Sequence, residues 1–382
     1  MRVLFVLKRF HPQSLFGGAE RSAYRLIEEL NRSGIDIEVA GARINHDWQK
    51  NEILDLAGGR VSVHRLFHPR LRFIGTIVYN MLLLLKILAG KNRYDVIHIN
   101  FASFEMMTAS AARMLGGPPV LCKVACSGSS GEIDKVRGNR YFGIFRYLLT
   151  RVDMVASLSS EISGELEDVG VDPERIAAVV NGVDVERFKP PSPAERAESR
   201  RDLGIGRDEF AVLFTGRLSR QKGLDILIEA IALISIKDAV LIIAGKGSER
   251  KALESLAAKL GVTDRVRFLG PLPDTVRLYH AADVFVLPSR DEGLSNSLLE
   301  AMSVGLRVVA TRVSGSSEAV EDGVTGFLVE PGEPLPLAGA IEKAALDRDH
   351  MGSEARRRAL ERYSICGAAG RYIGIYRKLA PA

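Results

Sequence analysis

Cysteine is scarce in this chain. Its 382 residues include three, Cys122, Cys126 and Cys366, with no C-x-x-C pair and no zinc-finger spacing. That points away from a disulfide scaffold or a structural zinc site and fits a reducing cytosol. No G-x4-G-K-[ST] occurs, which argues against a P-loop kinase, and Gly245-Lys-Gly247 lacks the third glycine of a dinucleotide fingerprint. Repeats of solenoid period and low-complexity tracts are missing too. The apolar stretch Val3–Leu7 is too short for a secretory h-region, so a cytoplasmic location is expected and the sequon Asn31-Arg-Ser33 is read as chance. Neither sign of charge dominates. A formal net charge of +5 fits anionic substrates or a membrane surface, and no nucleic-acid partner is expected.

What the chain does contain is a globular composition, 46% hydrophobic and 26% charged, at a length that exceeds one ordinary core and suggests two domains. One apolar segment stands out, Phe73–Gly90, with the run Met81-Leu-Leu-Leu-Leu-Lys-Ile-Leu88. It approaches membrane-spanning length, but Asn80 and Lys86 interrupt it. Arg65, Arg70, Arg72, Lys91 and Arg93 flank it. Two readings stand side by side: an amphipathic helix at an anionic membrane surface, and a core helix ringed by solvated charges.

Short apolar runs alternate with helical patterns. Strands are expected at Arg2–Lys8, Asp36–Ala40, Val61–Leu66, Asp95–Ile99, Val120–Lys123, Met154–Leu158 and Ile176–Val180. Helices are expected between them, at Glu20–Arg32, Ser103–Leu115 and Ser160–Val169. Continuous apolar strands alternating with helices argue for a parallel sheet covered on both faces. Asn181-Gly-Val-Asp and Lys189-Pro-Pro-Ser-Pro193 then interrupt regular structure. The alternation restarts with strands at Phe210–Thr215, Ala239–Ala244, Arg265–Leu269, Val284–Leu287, Arg307–Ala310 and Gly326–Val329. The expected division is 1–185, a first Rossmann-like domain; 186–365, a second Rossmann-like domain; and 366–382, a terminal helix that crosses back to the first domain. The fold class is α/β, with two doubly wound parallel sheets whose strand ends face a shared cleft.

The most informative local pattern is a pair of glutamates eight residues apart, Glu292 and Glu300. Ala282-Asp-Val-Phe-Val-Leu-Pro288 reads as a buried strand, and Asn296–Gly305 as the next helix, with Ser295 as its N-cap. Glu292 thus falls in the loop at a strand's C-terminal end and Glu300 two turns into the helix. Between them lies a helix N-terminus, whose amides favour an anion. Carboxylates suit sugar and ribose hydroxyls, and amides suit the diphosphate joining them. Arg217 and Lys222, in Gly216-Arg-Leu-Ser-Arg-Gln-Lys-Gly223, precede the helix Leu224–Ile236. A guanidinium and an ammonium there suit a pyrophosphate leaving group. Asp347-Arg-Asp349 imitates a metal-binding pair but sits in a charged helical segment.

These motifs together with Ile242-Ile-Ala-Gly-Lys-Gly247, Ala281-Ala-Asp-Val-Phe-Val-Leu-Pro-Ser289 and Glu292-Gly-x6-Glu300-Ala-Met302 resemble the retaining family-4 glycosyltransferases of GT-B fold. Asn181-Gly-Val-Asp-x3-Phe188, Asp322-Gly-x2-Gly-Phe-Leu-Val329 and Gly17-Gly-Ala-Glu20 extend the match. The resemblance implies that Glu300 holds the ribose, that Glu292 contacts the donor sugar, and that the backbone of Gly293, Leu294, Ser295 and Asn296 meets sugar and diphosphate. It further implies that Arg217 and Lys222 stabilise the leaving diphosphate and that Gly216, Gly17 and Gly18 line the donor. No cofactor and no metal are implied beyond the nucleotide-diphosphate sugar itself, because cations and a helix dipole perform the metal's task. Many relatives carry a histidine after the fifth strand of the first domain, where Val120–Ser130 here has none. Ser127 or Ser129 is considered in its place, and His98 is considered as either structural or lining the acceptor and sugar site.

The expected function is therefore transfer of a sugar, with retention, from a nucleotide-diphosphate donor of the UDP type to a glycan or lipid-linked acceptor, as in envelope polysaccharide or glycolipid synthesis. A peripheral position at the inner face of the membrane is part of that expectation. The alternatives are a GT-B epimerase or hydrolase and a degenerate binding subunit.

Overall fold

The computed structural model describes residues 1–10, 18–45, 47–56, 58–128, 131–347 and 350–380, without the side chains of 19 and 72. Two compact units result: Met1–Val180 with Ile365–Ala382, and Asn181–Ser364.

The first unit is built on eight strands: β1 (Arg2–Val6), β2 (Asp36–Arg43), β3 (Asn51–Leu56), β4 (Gly59–Phe67), β5 (Val96–Ile99), β6 (Val120–Val124), β7 (Met154–Ser157) and β8 (Ile176–Ala178). They lie in the order β3-β4-β2-β1-β5-β6-β7-β8. All neighbours are parallel except the hairpin β3–β4. The central strands are continuous apolar runs and are buried, Val3, Leu4 and Phe5 completely, as a sheet sandwiched by helices requires. The hairpin strand β3 is absent from the sequence expectation. Asn-Glu-Ile-Leu-Asp-Leu alternates exposed with half-buried positions at a sheet edge, so it carries no continuous apolar signal.

The final helix, Ile365–Leu379, packs on Gly18–Arg32 within this unit. Its Ala368, Ala369, Tyr372 and Tyr376 are buried. Tyr376 OH and His98 Nδ1 share a hydrogen bond of 2.6 Å, and the Tyr372 ring stacks on the imidazole at 5.2 Å.

The second unit has six parallel strands: β9 (Phe210–Thr215), β10 (Ala239–Ala244), β11 (Val266–Gly270), β12 (Val284–Leu287), β13 (Arg307–Thr311) and β14 (Phe327–Val329). Their order is β11-β10-β9-β12-β13-β14. Construction therefore proceeds outward from β9 to β11 on one side, then returns to lay β12 beside β9 and proceeds the other way. The charged stretch before β9 forms the helix Pro193–Asp202, opened by a capping box of Ser192 and Glu195. Arg196 and Arg200 of this helix bind Asp283 at 2.7 and 3.1 Å. Asp283 also accepts from the Ala211 amide at 2.8 Å, tying helix, β9 and the approach to β12 together at the N-terminal end of the sheet.

Candidate functional site

Strand order decides where chemistry can collect. β9 and β12 are neighbours, Val212 opposite Val284 and Leu213 opposite Phe285, and their chains leave in opposite directions across the sheet. A crevice opens at such a switch point, outside the carboxyl ends of the strands. The loop 216–223 follows β9 and the loop 288–295 follows β12, so residues some 70 apart in sequence share one edge.

The two loops are fastened to each other. The Arg290 amide donates to Gln221 O at 2.8 Å, and Gln221 Nε2 donates to Asp291 O at 3.0 Å. The Arg290 guanidinium holds Asp225, at the start of the helix Leu224–Leu233, through two hydrogen bonds of 2.8 and 2.6 Å. Desolvation pushes the Asp225 carboxyl upward, but the Arg290 pairing prevails and holds it below its ordinary value. Gly223 adopts φ +63°, and a Cβ there would stand 2.0 Å from Pro288 O. Only glycine allows the first loop to lie this close to the second.

Within this clamp Lys222 Nζ donates to Glu292 Oε2, which also accepts from Ser289 Oγ at 3.2 Å. The two charged side chains are 15% and 14% exposed, an ion pair at the mouth of the switch point rather than on open surface. Glu292 Oε1 makes no hydrogen bond among the described residues. Arg217 is exposed, and its guanidinium makes no ion pair or hydrogen bond among them either. Gly216 begins the same loop.

The helix Asn296–Val304 starts directly after the second loop. Ser295 occupies the N-cap position (φ −73°, ψ 123°), but its hydroxyl pairs with Ser297 Oγ at 3.0 Å and caps no amide. The first-turn amides are thus not consumed by their own cap, and the positive end of the helix remains beside Lys222 and Glu292. Glu300 lies one turn further. Its Oε2 accepts from Tyr279 OH at 2.7 Å, and that hydroxyl also meets Thr215 Oγ1 at 2.7 Å. Glu300 is therefore braced from the end of β9 through a tyrosine on the helix Val276–Ala281.

The backbone of Gly293 and Leu294 is supported from behind. Asn181 Nδ2 donates to Leu294 O at 2.7 Å, and a Cβ on Gly315 would stand 2.3 Å from Gly293 O. Thr311 Oγ1 donates to Ser289 O at 2.5 Å. Asn181, Thr215, Tyr279, Arg290, Asp225 and Thr311 were not singled out as site residues from the sequence. Each acts across a long sequence separation, and the nearest available signal was the Asn181-Gly-Val-Asp turn.

In the first unit Gly18 opens the helix Gly18–Arg32, while Gly17 and Ser129 lie outside the described residues. His98 and Ser127, considered above for the acceptor and sugar site, are both 0% exposed. His98 ends up beneath the last helix, enclosed by Phe5, Tyr372 and Tyr376. Burial, then the Lys123 charge, drives its pKa well below the usual imidazole value. Ser127 belongs to a loop held from inside, where Glu132 accepts from the Ala125 and Cys126 amides at 3.1 and 3.0 Å. Asp347 Oδ1 accepts from the His350 and Met351 amides at 3.1 and 3.3 Å, which makes it a helix cap; Asp349 lies outside the described residues.

Comparison with known proteins places this geometry in context. Residues 16–187 match the family model Glycosyltransferase Family 4, and residues 195–362 match Glycosyl transferases group 1. The chain is 30% identical to an uncharacterized glycosyltransferase of Methanocaldococcus jannaschii over 96% of each chain. It is 38% identical to a D-inositol 3-phosphate glycosyltransferase of Geodermatophilus obscurus over 54% of this chain. That match spans about half the length of the relative, 48%. Among solved structures, Anabaena HepE in complex with UDP superposes with a TM-score of 0.80, at 24% identity and covering 99% of this chain and 100% of that one.

Proposed function

Since the chain belongs to the family-4 glycosyltransferases and has the GT-B fold, we propose that it moves a hexosyl group from UDP to a glycan or lipid-linked acceptor with retention of configuration. The observation that carries this reading is the convergence of Lys222, Glu292 and the start of the helix Asn296–Val304 at one switch point. A diphosphate seated there meets the Lys222 ammonium, the exposed Arg217 guanidinium and the helix's positive end, the charges that stabilise a leaving group as its negative charge grows. Glu300, held by Tyr279, accepts from the ribose hydroxyls, and Glu292 Oε1 accepts from a hydroxyl of the sugar.

In the transfer step the bond from the anomeric carbon to the phosphate oxygen breaks and the acceptor oxygen bonds that carbon on the same face. The acceptor's proton passes to the departing phosphate oxygen. With two cations and a helix end supplying the positive charge, the reaction needs no metal. Likeness to HepE, solved with UDP, supports uridine as the base. A second acceptor reading is favoured by the Geodermatophilus relative: a phosphorylated cyclitol in place of a glycan or lipid, to be separated by product analysis.

The test is calorimetric titration of UDP, GDP and ADP without metal, repeated with Glu300→Ala. UDP is expected to bind, and loss of the ribose contacts to weaken it by about 1.5–3 kcal/mol. Failure of all three nucleotides to bind would remove the donor reading.

A further inference from the structure

The helix Arg72–Ala89 is amphipathic in the inverted sense. Its Thr76, Asn80 and Lys86 are engaged by the rest of the unit. Lys86 Nζ donates to the buried Glu38 at 2.6 Å, Asn80 Oδ1 accepts from Thr108 Oγ1 at 2.8 Å, and Thr76 Oγ1 accepts from Lys8 at 3.4 Å. Tyr79, Leu83 and Ile87 are each 0% exposed and form the seam against the rest of the unit.

The outward face is apolar. Phe73, Ile77, Met81 and Leu85 recur every fourth residue and are 78, 64, 56 and 58% exposed. That spacing keeps them in one stripe, about 18 Å long at 1.5 Å per residue. Ile74 beside them is 51% exposed. A solvated surface helix would carry its charges on this face, and a contiguous apolar stripe marks an interaction surface. No helix among the described residues is long and apolar enough to cross a membrane, so a role as a span is set aside.

Charge selects the occupant. From residue 67 to 94 the sequence has five Lys and Arg and no Asp or Glu. At the ends of the stripe Arg70 and Lys91 are exposed, with no ion pair among the described residues. A second copy of the chain, docked about a two-fold axis with its helix antiparallel, would set Arg70 against the partner's Lys91, like charge on like. An anionic bilayer neutralises both ends and takes the apolar side chains at its acyl boundary.

We propose that the helix Arg72–Ala89 lies in the interface of an anionic membrane, inserting Phe73, Ile77, Met81 and Leu85 and pairing Arg70 and Lys91 with lipid headgroups. This surface stands independently of the donor site, and its failure would leave the donor reading untouched.

The test is co-sedimentation of the full chain with vesicles of equal parts phosphatidylglycerol and phosphatidylcholine, against vesicles of phosphatidylcholine alone. Binding to the anionic vesicles is expected. It should fall at least tenfold in a variant carrying Ile77→Asp and Met81→Asp, and again in one carrying Arg70→Glu and Lys91→Glu. Because these side chains are exposed, the melting temperature and UDP affinity should stay at wild-type values. No sedimentation with anionic vesicles would overturn the proposal, as would equal binding by the aspartate variant. Light scattering that shows a lipid-free dimer, broken by the same two aspartates, would assign the stripe to self-association instead.

Discussion

Removing the Lys222 ammonium should do more than delete one contact. Lys222 and Glu292 are paired and largely buried, 15% and 14% exposed, so the lysine has two tasks when a diphosphate arrives. It donates to the phosphate, a charge-assisted contact of about 1.5–3 kcal/mol. It also neutralises Glu292, whose charge would otherwise face the incoming anion. Two like charges about 5 Å apart repel by roughly 3 kcal/mol at an effective dielectric of 20. Lys222→Ala should therefore weaken UDP by about 3 kcal/mol or more, roughly 150-fold. Glu292→Gln added to that variant removes the repulsion and should recover about 1–2 kcal/mol, roughly 5- to 30-fold. Glu292→Gln alone should leave UDP affinity near wild type, because UDP lacks the hexosyl group that Glu292 is proposed to contact. Calorimetry on the four proteins at one ionic strength, without metal, measures the cycle. A single Lys222→Ala variant that binds UDP within about twofold of wild type refutes the clamp. A double variant no tighter than the single one refutes the claim that Glu292 faces the diphosphate.

Two further predictions concern one residue of each unit. Tyr279→Phe leaves the Glu300 carboxylate without its brace from β9 and should weaken UDP by about 0.5–1.5 kcal/mol, less than Glu300→Ala; calorimetry on the pair checks the order. His98 has a folded pKa well below its unfolded value, through burial and then the Lys123 charge, so between the two values the unfolded chain holds the extra proton and stability falls as pH drops below about 6.5. Urea melts at pH 7.0 and 5.5 should therefore show wild type losing about 1 kcal/mol more than His98→Gln over that interval; equal losses would count against the assignment.

Much of this arrangement is legible in the sequence where the signal is local. β9, β10 and β12 begin and end where their apolar runs do, because buried parallel strands admit few polar residues. Lys222, Glu292 and Glu300 stand out through their combination, charged residues in the loops and the helix that follow two such strands. What the sequence hides is adjacency. Nothing near Asp225 announces Arg290, and nothing near Glu300 announces Tyr279 and Thr215, since each pairing depends on β12 returning to lie beside β9. His98 shows the same dependence on adjacency: the tyrosine that bonds its Nδ1 lies on a helix nearly 280 residues later.

That late tyrosine has a consequence for biogenesis. The first unit is discontinuous, and all of the second unit is inserted between Val180 and Ile365. On the ribosome, the first 180 residues emerge with the imidazole of His98 lacking its hydroxyl partner and the site for the last helix empty. Synthesis of the second unit must finish before Tyr372 and Tyr376 can close that core. At about 5–20 residues per second the wait is on the order of 10–40 s. A chain stopped before Ile365 should therefore yield a second unit able to fold by itself and a first unit open to proteolysis, its core left unfinished for want of one fifteen-residue helix.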